Sequence, residues 1–300
     1  MNDRDQIQKP ERDRSTIRSA VINRAISYIF DHLDEDITVE DVARHCAYSR
    51  YHLTRMFKED MNEALYQFIK RIRLERSAWR LKVEKQRSIT EIGGEYGYSS
   101  SNFATAFKKH LNLSPADFRR ISERMVEESS FAHGITMDEL ADAEKKITIE
   151  HLDSFTVIYE RRRGNYHNLP EEWCRFIEKY RHLASADTLY IECTIDDPSI
   201  TDENNCMYEL CQTISKSHPA LRNDPGLFTH DFAGGKYAIY HFEGFPQMLF
   251  MVYQEIFCRW LSRTGSCLDE RPILDIYREV REDGFMKIDI CFPLKGKGLQ

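Results

Sequence analysis

The sequence predicts a multidomain chain: an all-α N-terminal domain with two helix-turn-helix units, then an α+β C-terminal domain of two β-α-β-β repeats. Three observations predict it. Sliding the 300 residues against themselves by fifty positions, without a gap, lays one run of caps and apolar residues on another. Beyond Lys146 the apolar period changes from helical spacing to short β-branched and aromatic runs. The charge is split as well: residues up to Met125 carry 23 Lys and Arg against 19 Asp and Glu, a net of +4, and the rest carries −11 of the overall −7. The basic half is the one suited to phosphates, and the acidic half would be held away from them.

Composition narrows the function class. A chain that is 41% hydrophobic can fill two cores. It has no run of about 18 apolar residues to cross a membrane and no apolar N-terminal leader. A cytoplasmic protein without membrane contact is therefore expected. The eight cysteines (Cys46, Cys174, Cys193, Cys206, Cys211, Cys258, Cys267 and Cys291) include no C-x-x-C pair, and several sit among apolar residues. They read as buried thiols, so neither metal nor cofactor is expected.

In chain order, residues 1–14 are polar and charged and read as a disordered tail. The first domain is expected over 15–125. Its opening helix starts near Ser15 or Thr16 and carries Ile17, Val21, Ile22, Ala25, Ile26, Ile29 and Phe30 at helical spacing. Thr38-Val39-Glu40-Asp41 caps a short helix that leads through Cys46-Ala47-Tyr48 into a second helix capped by Ser49. Leu53, Met56 and Phe57 form its buried stripe, leaving Arg50, Tyr51, Thr54, Arg55 and Lys58 outside. Arginine can bond a guanine edge with two hydrogen bonds, Thr can donate, accept or touch a thymine methyl, and Lys suits phosphate. The fifty-residue shift then lays Val39 on Ile89, Ala47-Tyr48-Ser49 on Gly97-Tyr98-Ser99, Leu53 on Phe103 and Phe57-Lys58 on Phe107-Lys108. Each copy has the plan in which the second helix enters the major groove of duplex DNA.

Between the copies, Leu65, Phe68, Ile69, Ile72 and Leu81 mark a helix over about 64–81, a rigid spacer of roughly 27 Å. Its Arg71, Arg73, Arg76 and Arg80 would serve either solubility or phosphate contact. Gly93 and Gly94 fall inside the first helix of the second unit, where each costs about 1 kcal/mol against alanine. From Val126 to Glu144 there is no Lys or Arg, so 126–146 reads as an acidic linker, with a short helix plausible around Met137 to Ala143.

The runs Ile37 to Lys58 and Ser88 to Lys109, closed by Leu113-Ser114-Pro115-Ala116-Asp117-Phe118-Arg119, resemble the DNA-binding domain of AraC/XylS transcription regulators. The resemblance implies base-facing residues Arg50, Tyr51, Thr54 and Arg55 behind the cap Ser49 in the first unit. In the second it implies Ser100, Ser101, Ala104 and Thr105 behind Ser99, with Lys108. It also implies a second unit one residue longer than the first, which this sequence does not show.

The second domain is expected over 147–296. Strands are read at Ile147-Thr148-Ile149, Phe155 to Tyr159, Leu189-Tyr190-Ile191 and Met207 to Cys211, with a helix over about 171–182. The order recurs as a strand at Lys236 to Phe242, a helix over about 247–261, and strands at Ile273 to Tyr277 and Met286 to Phe292. Tyr159 to Tyr166, Asp196-Asp197-Pro198, Gly234 to Ala238, Trp260-Leu261 and Asp275-Ile276-Tyr277 resemble the GyrI-like small-molecule-binding domain. That resemblance implies an aromatic cleft with a glutamate for lipophilic cations, matched here by the shorter Asp275. The candidate walls are Tyr159, Trp173, Tyr190, Tyr208, Tyr240, Trp260 and Tyr277, with Glu209, Asp275 and Asp289 as counter-charges. Together the resemblances imply a regulator that binds double-stranded DNA and a small lipophilic or amphipathic effector and contacts RNA polymerase. The alternatives are a GyrI-like hydrolase or a drug-sequestering protein fused to a DNA reader. No Gly-x-Ser-x-Gly, Walker or His-Glu-x-x-His motif supports an enzyme.

Overall fold

Every boundary of the helical repeat keeps the fifty-residue offset in the computed structural model, which describes residues 20–132, 136–224 and 226–296. The expected tail lies outside them, as does the start of the first helix. The described helices are α1 (Ala20–Asp31), α2 (Val39–His45), α3 (Arg50–Met61), α4 (Leu65–Val83), α5 (Ile89–Glu95), α6 (Ser100–Leu111) and α7 (Pro115–Ala132). Thr38 and Ser88 each close a capping box with the acid three residues on, Asp41 and Glu91. The turns between the paired helices pass through the left-handed region at Ala47 (φ 59°) and at Gly97 (φ 78°). Glycine takes that conformation freely, whereas alanine gives up about 1–2 kcal/mol. Asn62 and Asn112 then end α3 and α6 with φ of 52° and 60°. The two units therefore share one turn length and one register.

The glycines inside α5 have different reasons. A Cβ on Gly93 would lie 2.7 Å from Cγ of Phe103, so the close approach of α5 to α6 depends on its absence. A Cβ on Gly94 would meet nothing within 4 Å. Gly94→Ala is accordingly expected to stabilise the chain by up to about 1 kcal/mol, and Gly93→Ala to destabilise it by about 1–3 kcal/mol through overpacking. Urea melts of the two variants check the opposite signs.

Helix α4 is not a solvated strut. Most of its residues are buried, including Arg71, Glu75, Arg80 and Lys82. Arg71 pairs with Glu63 and Glu75, each at 3.0 Å, and Arg80 with Glu84 at 2.5 Å and with Glu270. Arg73 donates to the carbonyls of Leu33 (3.2 Å) and Glu35 (2.5 Å). These arginines hold the fold together rather than serving solubility, because both ends of α4 are covered by other elements.

The acidic stretch after Met125 is largely helical too. α7 continues to Ala132, and α8 (Met137–Glu144) follows a Thr136 capping box. Leu140 is buried in the core of the second domain, and the buried Glu144 binds Arg259 (3.1 Å) and Arg263 (2.8 Å). This half of the expected linker is docked. Its partners lie more than a hundred residues away, out of reach of a local reading.

The second domain is one antiparallel sheet of β1 (Ile147–Leu152), β2 (Phe155–Arg163), β3 (Tyr190–Thr194), β4 (Met207–Thr213), β5 (Thr229–Phe232), β6 (Gly235–Gly244), β7 (Ile273–Val280) and β8 (Met286–Pro293). Its order is β1-β6-β8-β7-β3-β4-β2-β5. Exchanging the first four strands for the last four reproduces that order, so the halves are related by a pseudo-twofold axis between β3 and β7. Each half contains the expected β-α-β-β repeat, β2 to β4 around α9 (Leu169–Tyr180) and β6 to β8 around a helical segment. Each also adds a strand, β1 or β5, that pairs with the other half. β5 was not expected, because Thr229-His230-Asp231-Phe232 has no apolar alternation. The helical segment of the second half is α10 (Leu249–Met251), a π-helical turn over Val252–Phe257 and α11 (Cys258–Thr264).

Candidate nucleic-acid interface and ligand cavity

Helix α3 turns Leu53, Phe57 and Met61 inward and leaves Arg50, Tyr51, Arg55 and Lys58 in solvent, with Thr54 half-buried. Tyr51 is 79% exposed, an unusual position for an aromatic ring. Arg50 leans to Glu40 at 3.6 Å and Arg55 to Glu59 at 4.0 Å. Exposed pairs of this kind contribute little and yield to a better acceptor. Helix α6 buries Phe103 and Phe107 and exposes Ser99, Ser100, Ser101, Ala104, Thr105 and Lys108. The first residue of α3 and one side of α6 border a groove of 670 Å³ between the two units. Arg50 of α3, Lys70 and Arg73 of α4, and Asn102, Thr105 and Lys109 of α6 line it, four cations against the acids Asp36 and Glu40. A basic groove shared by both second helices suits the backbone of one duplex.

The second feature is a cavity of 330 Å³ on the helix-bearing face of the sheet, where the two halves meet. Glu192 of β3 and Asp275 of β7 are direct register partners across the pseudo-twofold axis, and both line it. The Tyr277 hydroxyl donates to Glu192 Oε2 at 3.0 Å, and the Tyr253 hydroxyl to Asp275 Oδ1 at 2.5 Å. Tyr253 and Gln254 reach the cavity from the π-helical turn, a distortion frequent at functional sites. Trp79, Tyr166, Tyr253 and Tyr277 form aromatic walls, with Leu169, Ile195 and Leu249 between them. Among the described residues no cationic side chain pairs with Glu192 or Asp275. Burial, followed by the neighbouring Asp275 charge, pushes the Glu192 carboxyl well above the usual range. Burial does the same to Asp275, against the hydrogen bond from Tyr253. A concave aromatic site with two desolvated, unpaired carboxylates is built to attract positive charge.

Comparison with known proteins decides the family. A helix-turn-helix domain model matches residues 42–121, and the GyrI-like small molecule binding domain model matches residues 145–295. The probable transcription factor PqrA of Proteus vulgaris is 36% identical over 102 residues, 33% of this chain and 83% of that protein. The chain belongs to the AraC/XylS regulators with a GyrI-like domain. The transcriptional regulator Rob of Salmonella typhimurium is 35% identical over 107 residues, 35% of this chain and 37% of Rob, so the match spans little more than a third of that relative. A solved structure, the C-terminal domain of the response regulator AraT from Geobacillus stearothermophilus, is 34% identical. It covers 35% of this chain and 87% of its own, with a TM-score of 0.33.

Within the GyrI-like domain, the residues singled out from the sequence are scattered. Asp275 and Tyr277 line the cavity. Trp173 stands behind them, edge-on to Tyr277 (5.2 Å between centroids) and to Tyr190 (6.2 Å). Tyr208 is stacked beneath the lining Tyr166 at 4.8 Å. Tyr240 of β6 and Trp260 of α11 are core residues between the sheet and the second helical segment. Tyr159 faces the other side of the sheet, under the Arg161 guanidinium. Glu209 is on that same side and is held by Arg161 Nε at 2.8 Å. Asp289 lies 2.6 Å from His241 and pairs with Arg278 at 2.7 Å. Glu209 and Asp289 are thus corrected from counter-charges to structural partners. Glu192, Tyr166, Tyr253, Trp79 and Lys82 were not picked out from the sequence. The signal for Glu192 was present, since it holds in its repeat the place that Asp275 holds in the other.

Proposed function

We propose that the chain is a sequence-specific, double-stranded-DNA-binding transcription regulator of the cytoplasm that acts on RNA polymerase, and that its GyrI-like domain senses a small amphipathic cation. The observation that carries the first part is the pair of solvent-facing second helices, α3 with Arg50, Tyr51, Arg55 and Lys58 and α6 with its small hydroxyls and Lys108, repeated in one register. Its relatives, among them a transcriptional regulator and a probable transcription factor, support it. The observation that carries the second part is the unpaired Glu192 and Asp275 pair inside aromatic walls. The first unit supplies more discrimination than the second. Arg50 and Arg55 can each make a bidentate base contact, whereas α6 offers small hydroxyls and a methyl. One of these hydroxyls, on Thr105, is turned back onto the Ser101 carbonyl at 3.0 Å.

Arg55→Ala is expected to weaken operator binding by about 1–3 kcal/mol and to relax selectivity at one base pair. Because Arg55 is exposed and among the described residues pairs only with Glu59, the fold is unaffected. Mobility-shift titrations against a panel of single-base operator variants read both effects. Parental affinity and selectivity in the variant would refute the assignment of α3 as the reading helix.

A further inference from the structure

The effector cavity is not made by the GyrI-like domain alone. Trp79 and Lys82, three residues apart on α4, line it from the DNA-binding domain. Trp79 also packs edge-on against Phe292 of β8, 6.2 Å between centroids, and the next residue after Lys82, Val83, is buried in the core of the GyrI-like domain. Lys82 is only 8% exposed. Its ammonium donates to Asp197 Oδ2 at 3.0 Å, to Ser199 Oγ at 2.9 Å and to Gln254 Oε1, and Asp197 and Gln254 line the same cavity. Burial pushes the Asp197 carboxyl up, but Lys82 and Ser199 bring it below the usual carboxylate value, so the pair is ionic. The cavity therefore already holds one cation, covalently part of the helix that joins the two DNA-reading units.

We propose that Lys82 is a specificity-determining residue of the effector site and the link that carries occupancy to the DNA-reading domain: its ammonium competes with a cationic effector for the acidic cavity. This rests on the cation-sensing function proposed above. When an effector cation enters, repulsion from Lys82 and competition for Asp197 and Gln254 displace the ammonium. The end of α4 shifts with it. Helix α4 follows α3 directly, packs against α5 and α6, and through Arg73 holds the carbonyls of Leu33 and Glu35 ahead of α2. A shift at Lys82 is thus felt by both units, and reciprocity requires that bound DNA alter effector affinity by the same factor.

The test uses the full chain, benzyltrimethylammonium and its uncharged carbon isostere. Lys82→Met removes the charge and keeps the apolar stem. Calorimetry is expected to show at least tenfold tighter binding of the cation and unchanged binding of the isostere. In mobility shifts the cation is expected to change operator affinity of the parent severalfold and that of Lys82→Met not at all. Because Lys82→Met strands Asp197, the double variant Lys82→Met/Asp197→Asn, which leaves no unpaired charge, must show the same loss of coupling. Equal cation affinity in parent and Lys82→Met, or undiminished coupling in either variant, overturns the role of Lys82 and leaves cation sensing standing. A parent that does not bind the cation overturns both.

Discussion

Replacing Glu209 by alanine is expected to lower the stability of the folded chain by about 3–5 kcal/mol, the usual cost of stranding one partner of a buried ion pair. Glu209 Oε1 receives Nε and Nη2 of Arg161 at 2.8 and 2.5 Å. The guanidinium also donates to the backbone and side-chain oxygens of Asn23 at 3.0 and 3.2 Å and to Ser27 at 3.0 Å, both on α1. It lies over the rings of Tyr159 and Phe30, and Arg161 is 2% exposed. Without Glu209 a full positive charge stays in that place, with neutral partners only. The loss is a matter of imbalance rather than of the pair's own strength, since desolvation offsets most of the Coulomb attraction. The double variant Arg161→Met/Glu209→Met is therefore expected to fall much less than Glu209→Ala. Urea melts of the two, read against the parent, check the order. A Glu209→Ala loss below about 1 kcal/mol would contradict the burial of this charge between the domains.

The same residues show what a sequence makes legible. The helical repeat was readable because its determinants are local: caps at Thr38 and Ser88, a left-handed turn position at Ala47 and Gly97, and apolar stripes at fixed spacing. Most strands were readable from β-branched and aromatic alternation, and β5 was not because it is short and half polar. The cavity depends on long-range facts. An acid on a strand looks the same whether it meets Arg161, as Glu209 does, or an open cavity, as Asp275 does. Which aromatic rings are wall and which are core turns on the strand face and on α4, whose Trp79 and Lys82 come from the other domain. Local periodicity identifies α4 as a helix but does not show that it is covered on both sides.

Affinity for a cationic effector is expected to rise with pH across the neutral range, by up to about tenfold per unit while one proton is exchanged. Burial raises both carboxyls of the facing pair, and the Asp275 charge raises Glu192 further, Glu192 to about 8 and Asp275 to about 7. In the empty site at pH 6 the pair is mainly protonated, although free carboxyls would have ionised between about pH 4 and 5. A cation favours the ionised form, so its binding expels protons, and protons compete with it as pH falls. The sign for folding is the reverse of that for binding. The folded empty protein holds protons that the unfolded chain has released, so this pair costs stability as pH rises from the ordinary carboxylate range to about 8. Dissociation constants for benzyltrimethylammonium between pH 6 and 9 should fall with pH and level off above about 8. Calorimetry at pH 7 should give an enthalpy that depends on the buffer, reporting proton release. Glu192→Gln removes the carboxyl that titrates higher and leaves Asp275, still raised by its burial, as the remaining acid, so the profile should level off nearer pH 7. An affinity independent of pH in the parent would show that cation binding releases no proton from this pair and would overturn the raised carboxyls as the source of the pH dependence.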